Sequence, residues 1–210
     1  SILQLAIQGK LVEQREEEGT TEELYKQIKE EKKKLFKEGK IKKEKPLPEI
    51  TEDEIPFEIP ESWKWVRLGE IISISSGKGL TSSNMKKGEI PVYGGNGITG
   101  FHNEALVEEK TVVIGRVGFY CGSVHITEKL AWITDNAFIT TYPKKYIDME
   151  YLVYTLHHMN LGKDNNATAQ PVVSGKKIYP LLFPLPPLEE QKRIVSKIEE
   201  LLPLCKQLEK

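Results

Sequence analysis

Cysteine is scarce in this sequence: among 210 residues there are two, Cys121 and Cys205, far apart and without CxxC spacing. That excludes a disulfide framework and gives no zinc knuckle, and it fits a reduced, cytoplasmic setting. No apolar run approaches the roughly 18 residues that a membrane-spanning helix needs. The first ten residues lack the charged-then-apolar layout of a signal peptide, and there is no initiator methionine, which points to processing or to excision from a longer chain. An excess of one charge is missing too. Thirty Lys and Arg stand against 31 Asp and Glu, for a formal net charge of −1, which argues against a generic basic coat for nucleic acid but not against selective contact. With 39% hydrophobic and 29% charged residues, wholesale disorder is excluded. The length suits one ordinary domain with appended helices, or two small domains.

The balanced charge hides segregation along the chain. Residues 1–45 carry 12 basic and 10 acidic side chains. Within them Thr20 and Glu23 have capping-box spacing, and Leu24, Ile28 and Leu35 follow a helical repeat up to Gly39, predicting a charged helical hairpin. Residues 46–61 hold six acids, no bases, and Pro46, Pro48, Pro56 and Pro60, the composition of an extended acidic linker. Residues 62–188 change texture: short β-branched or aromatic runs (71–74, 90–93, 111–114, 122–127, 137–142) alternate with Gly clusters, and one helix is expected near 149–159. This block sums to 13 bases against 10 acids. After Pro184, Pro186 and Pro187, residues 189–210 place Ile194, Ile198, Leu201, Cys205 and Leu208 at alternating spacings of four and three, a coiled-coil seam with Pro203 inside it as an expected kink. So short a helix should pack on another, either the N-terminal segment or a partner chain. The fold class expected is α+β.

Few motifs carry chemistry. Gly95, Gly97 and Gly100 satisfy G-x-G-x-x-G after an expected strand, the pattern of a nucleotide-binding enzyme. Yet no apolar helical stripe follows, and 112–124 has no acid for a ribose. A tight hairpin is the alternative, with Tyr93 and Asn96 offering a ring and an amide for base contact. Gly77-Lys78-Gly79 does not match a phosphate-binding P-loop. Arg116 stands in Gly115-Arg116-Val117-Gly118, where small neighbours admit a bulky ligand; Arg suits guanine or phosphate, and equally a hairpin bend. Thr134-Asp135-Asn136 is a run of turn formers that could also bond bases. Residues 170–177, with Ser174, Lys176 and Lys177, form a loop fit for phosphate or for solvent. His102, His125, His157 and His158 have no partner at a diagnostic spacing, so no active site assembles.

Several segments together resemble a half of the specificity subunit of type I restriction-modification systems. They are the opening run from Ser1 to Val12, Ile59-Pro60-Glu61-Ser62-Trp63-Lys64-Trp65-Val66-Arg67-Leu68-Gly69, the loops at 93–100, 115–118 and 134–137, and above all Pro184-Leu185-Pro186-Pro187-Leu188-Glu189-Glu190-Gln191-Lys192-Arg193-Ile194-Val195. The resemblance implies a conserved helical region at 1–45, one β-rich target recognition domain with a mixed sheet at 62–188, and a spacer helix at 189–210. It implies a chain with no catalytic centre and no cofactor of its own. Modification subunits using S-adenosylmethionine and an ATP-driven restriction subunit would be its partners, double-stranded DNA its ligand, and pairing of two half-subunits a further option. On that reading the candidate DNA contacts are Lys78, Tyr93, Asn96, Arg116, Thr134, Asn136, Ser174 and Lys176. A half-subunit that only assembles or inhibits, without reading DNA, stays open beside it.

Overall fold

The computed structural model describes residues 1–162 and 172–208, with side chains placed up to Leu204. The chain forms two compact units that cut across the boundaries expected from sequence. The first gathers residues 1–71, 142–158 and 179–210, and the second holds 72–141 and 159–178.

In the first unit, α1 (Ile2–Ile7) packs on α6 (Leu188–Leu208), and α2 (Thr21–Lys37) packs on the single turn α3 (Leu68–Ile71). The two N-terminal helices thus take separate neighbours instead of forming a hairpin with each other. Leu24 and Ile28 of α2 are buried as their repeat requires. Thr20 makes no capping bond, because tertiary structure claims its neighbour: Thr21 donates its hydroxyl to the Leu185 carbonyl at 2.8 Å and its N–H to the Ser62 carbonyl at 2.9 Å. A two-stranded antiparallel ribbon pairs β1 (Lys64–Arg67) with β9 (Leu182–Leu185). Tyr151, on α4 (Met149–Met159), stacks edge-on against Phe183 at 5.9 Å and donates its hydroxyl to the Pro184 carbonyl.

Two polar clamps hold this unit. The expected linker does not float: it wraps the Arg67 side chain, which is only 4% exposed. Arg67 Nε donates to the Pro48 carbonyl, Nη2 to the Glu49 carbonyl, Nη1 to the Pro180 carbonyl, and both Nη atoms to the Glu54 carboxylate at 2.9 and 2.7 Å. Glu54 is positioned by a capping box in which it also accepts from the Thr51 N–H. The second clamp lies at the start of α6. Glu190 accepts from Trp63 Nε1 at 2.8 Å and from Gln14, while Gln191 accepts from the Asp148 N–H at 2.9 Å and donates to the Pro186 carbonyl at 3.0 Å. Burial pushes the Glu190 carboxyl above its ordinary range, and the bonds from Trp63 and Gln14 oppose that. Arg193 forks onto Glu18 at 2.7 Å for both bonds. The seam residues Ile194 and Ile198 are fully buried in the chain's own fold, with Ala6 and Ile7 of α1 also buried, and Leu201 is half-buried. The side chains of Cys205 and Leu208 lie outside the described residues. Pro203 sits inside α6, which continues to Leu208. Among the described residues no helix is long and apolar enough to cross a membrane.

The second unit is β-rich. One antiparallel sheet has the order β2 (Ser73–Ser76), β8 (Ala137–Thr141), β5 (Val112–Gly115), β6 (Val124–Ile126). A three-stranded sheet, β4 (Gly97–His102), β3 (Ile90–Gly94), β7 (Trp132–Ile133), is mixed, since β3 runs parallel to β7. The β-branched run of β5 is buried throughout, as a central strand with both faces covered requires. Tyr93, Val113, Ala131, Ile133 and Ala137 form the core. One turn, α5 (Gly175–Ile178), closes the unit's second segment.

Two outcomes test the clamps. Replacing Gln191 by Ala leaves the Asp148 N–H and the Pro186 carbonyl without their partner, and chemical denaturation should show a loss of about 2 kcal/mol or more; a loss below half that would mean the clamp is dispensable. The Arg67 guanidinium, followed by the Thr51 N–H, draws the Glu54 carboxyl from its ordinary 4.5 down to about 2. Its folded pKa being depressed, the contribution is complete above the ordinary value and is lost as pH falls from there through about 2. A Glu54→Gln chain should therefore be less stable at neutral pH and show a shallower acid-unfolding slope in that window, read by circular dichroism.

Candidate nucleic-acid interface

Loops distant in sequence meet around the main chain of Arg116. Its N–H donates to the Asn136 carbonyl at 2.9 Å and its carbonyl accepts from the Val173 N–H at 2.8 Å. The neighbouring Val117 forms an isolated bridge with Val172. The guanidinium reaches Ser76 Oγ at 3.3 Å, lies near the Asp135 carbonyl at 3.5 Å, and stands 5.5 Å from the Phe138 ring. The loop after β2 joins the group through the Gly77 N–H on the Ala137 carbonyl and the Lys78 N–H on the Ile133 carbonyl, 3.1 and 2.9 Å. Trp132 Nε1 donates back to the Lys78 carbonyl at 3.0 Å, and the Lys78 ammonium lies 5.5 Å from the Trp132 ring. The hairpin tip at Gly95 is held by Ser123 Oγ on its carbonyl at 2.8 Å. Glycine is required at 77 and 115 for this closeness: a Cβ at either would overlap a carbonyl, that of Ile133 or of Gly95.

Rigid strands therefore present five short loops together, at 76–79, 95–96, 116–123, 134–136 and 172–177. Lys78, Asn96, Asn136 and Lys176 are exposed there, and Arg116 is half-buried. Their chemistry is one cationic fork, two ammonium groups and two amides, the donor and acceptor set for reading base edges and phosphate oxygens. Ser174 is half-buried, and its carbonyl accepts from the Lys177 and Ile178 N–H groups at the turn of α5. Gln170 and Pro171 of that loop lie outside the described residues.

Two sequence-derived candidates do not reach the surface. Tyr93 is 5% exposed in the core, its hydroxyl accepting from the Glu128 N–H at 3.2 Å, so its ring has no face for a base. Thr134 is likewise 5% exposed; its N–H donates to the Tyr93 carbonyl, and its hydroxyl accepts from the Asn136 N–H at 3.3 Å. Thr134 shapes the turn that presents Asn136. The glycine pattern at 95–100 is a β-hairpin in which Gly94 faces Gly97 and β4 follows directly, with no helix to receive a pyrophosphate. His102 is 3% exposed, accepts from the Lys86 N–H at 3.0 Å, and stacks edge-on with Trp132, a structural placement.

Sequence reasoning missed Ser76, which orients Arg116, and two exposed rings, Phe119 and Tyr120, at 87% and 57% exposure. A signal for the rings existed: an aromatic pair between Gly118 and Gly122 falls in a turn instead of a strand's inward face.

The family model described as the type I restriction modification DNA specificity domain matches residues 60–210. The type I restriction enzyme EcoAI specificity subunit of Escherichia coli is 32% identical across 99% of this chain, and the EcoEI specificity subunit of the same organism is 30% identical across 99%. The chain spans about 40% of the length of these relatives. Among solved structures, the S subunit of the type I restriction-modification system from M. genitalium superposes with a TM-score of 0.58 at 22% identity, over 69% of this chain and 40% of that one. The HsdS subunit from Thermoanaerobacter tengcongensis gives 0.56 at 24% identity, over 73% and 40%. Arg116 and its converging loops thus lie within the matched region, and the α+β fold agrees: the chain belongs to the type I restriction-modification DNA specificity family.

Proposed function

We propose that this chain reads one half of a split site on double-stranded DNA for a type I restriction-modification complex. The observation that carries the reading is the convergence of the five loops on Arg116, in a chain that belongs to a DNA specificity family and spans about 40% of its relatives' length. One recognition unit in that length matches one half-site. Arg116 would take guanine or a phosphate through the guanidinium N–H groups directed away from Ser76. Asn96 and Asn136 would read base edges, and Lys78 and Lys176 would contact phosphates.

The chain acts as the address and leaves the chemistry to others. Modification subunits would bring S-adenosylmethionine and methylate adenine, and a restriction subunit would cleave with ATP, in the cytoplasm where the DNA lies. Helix α6, fixed at its root by Glu190, Gln191 and Arg193, would set the distance to a second half-site, supplied by another part of a longer subunit or by a second copy. A half-site alone gives limited affinity, so tight binding would need the assembled complex.

The test is methylome sequencing of cells carrying the gene with its modification subunit. A split motif is expected. Arg116→Lys, which keeps the charge but loses the planar fork, should abolish or degrade one half of the motif and weaken specific binding by about tenfold or more, while binding to unrelated DNA stays similar. Lys176→Gln should weaken binding to all sequences alike and flatten its salt dependence. Methylation without sequence preference, or an Arg116→Lys chain with an unaltered motif, would sink the reading.

A further inference from the structure

The loop from Arg116 to Ser123 carries a feature that hydrogen-bonded base reading does not use. Phe119 and Tyr120 stand in solvent, yet their rings meet edge to face, with centroids 5.0 Å apart at 85°. They form a paired knob that is built in advance. The turn beneath it is closed by the Gly122 N–H on the Gly115 carbonyl at 2.7 Å, the Cys121 N–H on the Gly118 carbonyl at 3.0 Å, and the Ser123 N–H on the Tyr120 carbonyl at 3.0 Å. Gly118 and Gly122, at φ of 94° and 86°, take the left-handed turns that this path demands. Cys121 is buried directly after Tyr120, so the turn is anchored inward while the rings point out.

Two rings paired at the tip of one turn form an exposed apolar surface whose burial against a ligand would be favourable. Arg116 is the one charged residue of this loop, and the adjoining loops present Lys78, Asn136 and Lys176. Rings on a loop that shares its frame with cations and amides suit stacked bases in a phosphate frame. At 87% exposure Phe119 stands almost wholly in solvent, with Tyr120 packed against it, which is the form of a supported wedge. Resting on the DNA-reading function above, we propose that Phe119, buttressed by Tyr120, inserts into a base step of the recognised half-site and unstacks it. The half-site would then include one deformable step selected by how readily it opens and not by its base edges.

The experiment uses the subunit assembled with its modification subunits and short duplexes carrying the motif found by methylome sequencing. 2-Aminopurine replaces each adenine of the half-site and its flanks in turn, except the adenine to be methylated, which a methyltransferase flips out of the stack by itself. One position should brighten severalfold on binding. Phe119→Ala should abolish that brightening and weaken binding about tenfold, the effect of one lost base–aromatic stack. A mismatch placed at that step should recover part of the affinity, because the unstacking is already done. Phe119→Trp should keep the brightening. Since Phe119 is outside the core, thermal unfolding of the alanine chain should match the original.

If the original complex methylates a split motif but no position brightens, the wedge is wrong and the reading of DNA stands. If the alanine chain no longer retains modification subunits by native mass, the rings dock protein, and the wedge is wrong again. Methylation without any motif would remove the reading and the wedge together.

Discussion

Arg67 is buried with every one of its five N–H groups engaged, two of them on a carboxylate and three on main-chain carbonyls from Pro48, Glu49 and Pro180. A guanidinium out of water is tolerated only under such complete pairing, because each donor left open would carry a desolvation penalty. The consequence spreads in sequence. A proline-rich acidic stretch that would otherwise be loose is bent around one side chain at the end of β1, and the segment leading into β9 is drawn to the same point. The ribbon of β1 and β9, and through it the entry to α6, inherits its position from this cluster.

The segments that announced the family in sequence are the ones that build these clamps. Trp63 bonds Glu190; Gln191 bonds the Asp148 N–H and the Pro186 carbonyl; Arg193 bonds Glu18. A run of prolines followed by two acids, a glutamine and two bases looked like a junction into a helix. Glu190 and Gln191 turn out to be buried and Arg193 half-buried, while Glu189 and Lys192 pair with each other at the surface. Strands marked by β-branched runs between glycines, such as β5 and β8, were legible because burial of both faces demands such residues. The strands that were missed had weak local signals. β9 contains Pro184, acceptable because a two-stranded ribbon leaves its other edge unpaired; β4 carries two glycines and owes its existence to the hairpin at Gly97.

The division into units was less legible still. The chain leaves the first unit at residue 72, returns at 142, leaves again at 159 and returns at 179. Composition reads neighbours along the chain, and a boundary crossed four times belongs to contacts between residues far apart in it. The same limit applies to the candidate interface. Loops at Lys78, Asn96, Arg116, Asn136 and Lys176 could each be marked from local chemistry, but their convergence depends on strand order. Tyr93 lies beside a glycine-rich tip and Thr134 in a run of turn formers, surroundings that read as exposed in sequence, yet the fold leaves each of them only 5% exposed.

The loops around Arg116 are joined by main-chain bonds: Arg116 to Asn136, Val173 to Arg116, Lys78 to Ile133. Bonds of this kind do not depend on which side chain a position carries. Mutation can therefore exchange the outward residues of these loops, one after another, while the frame that aligns them persists. Under the proposed reading of DNA, new addresses would lie within reach of single substitutions in these loops, with the clamps of the first unit left untouched.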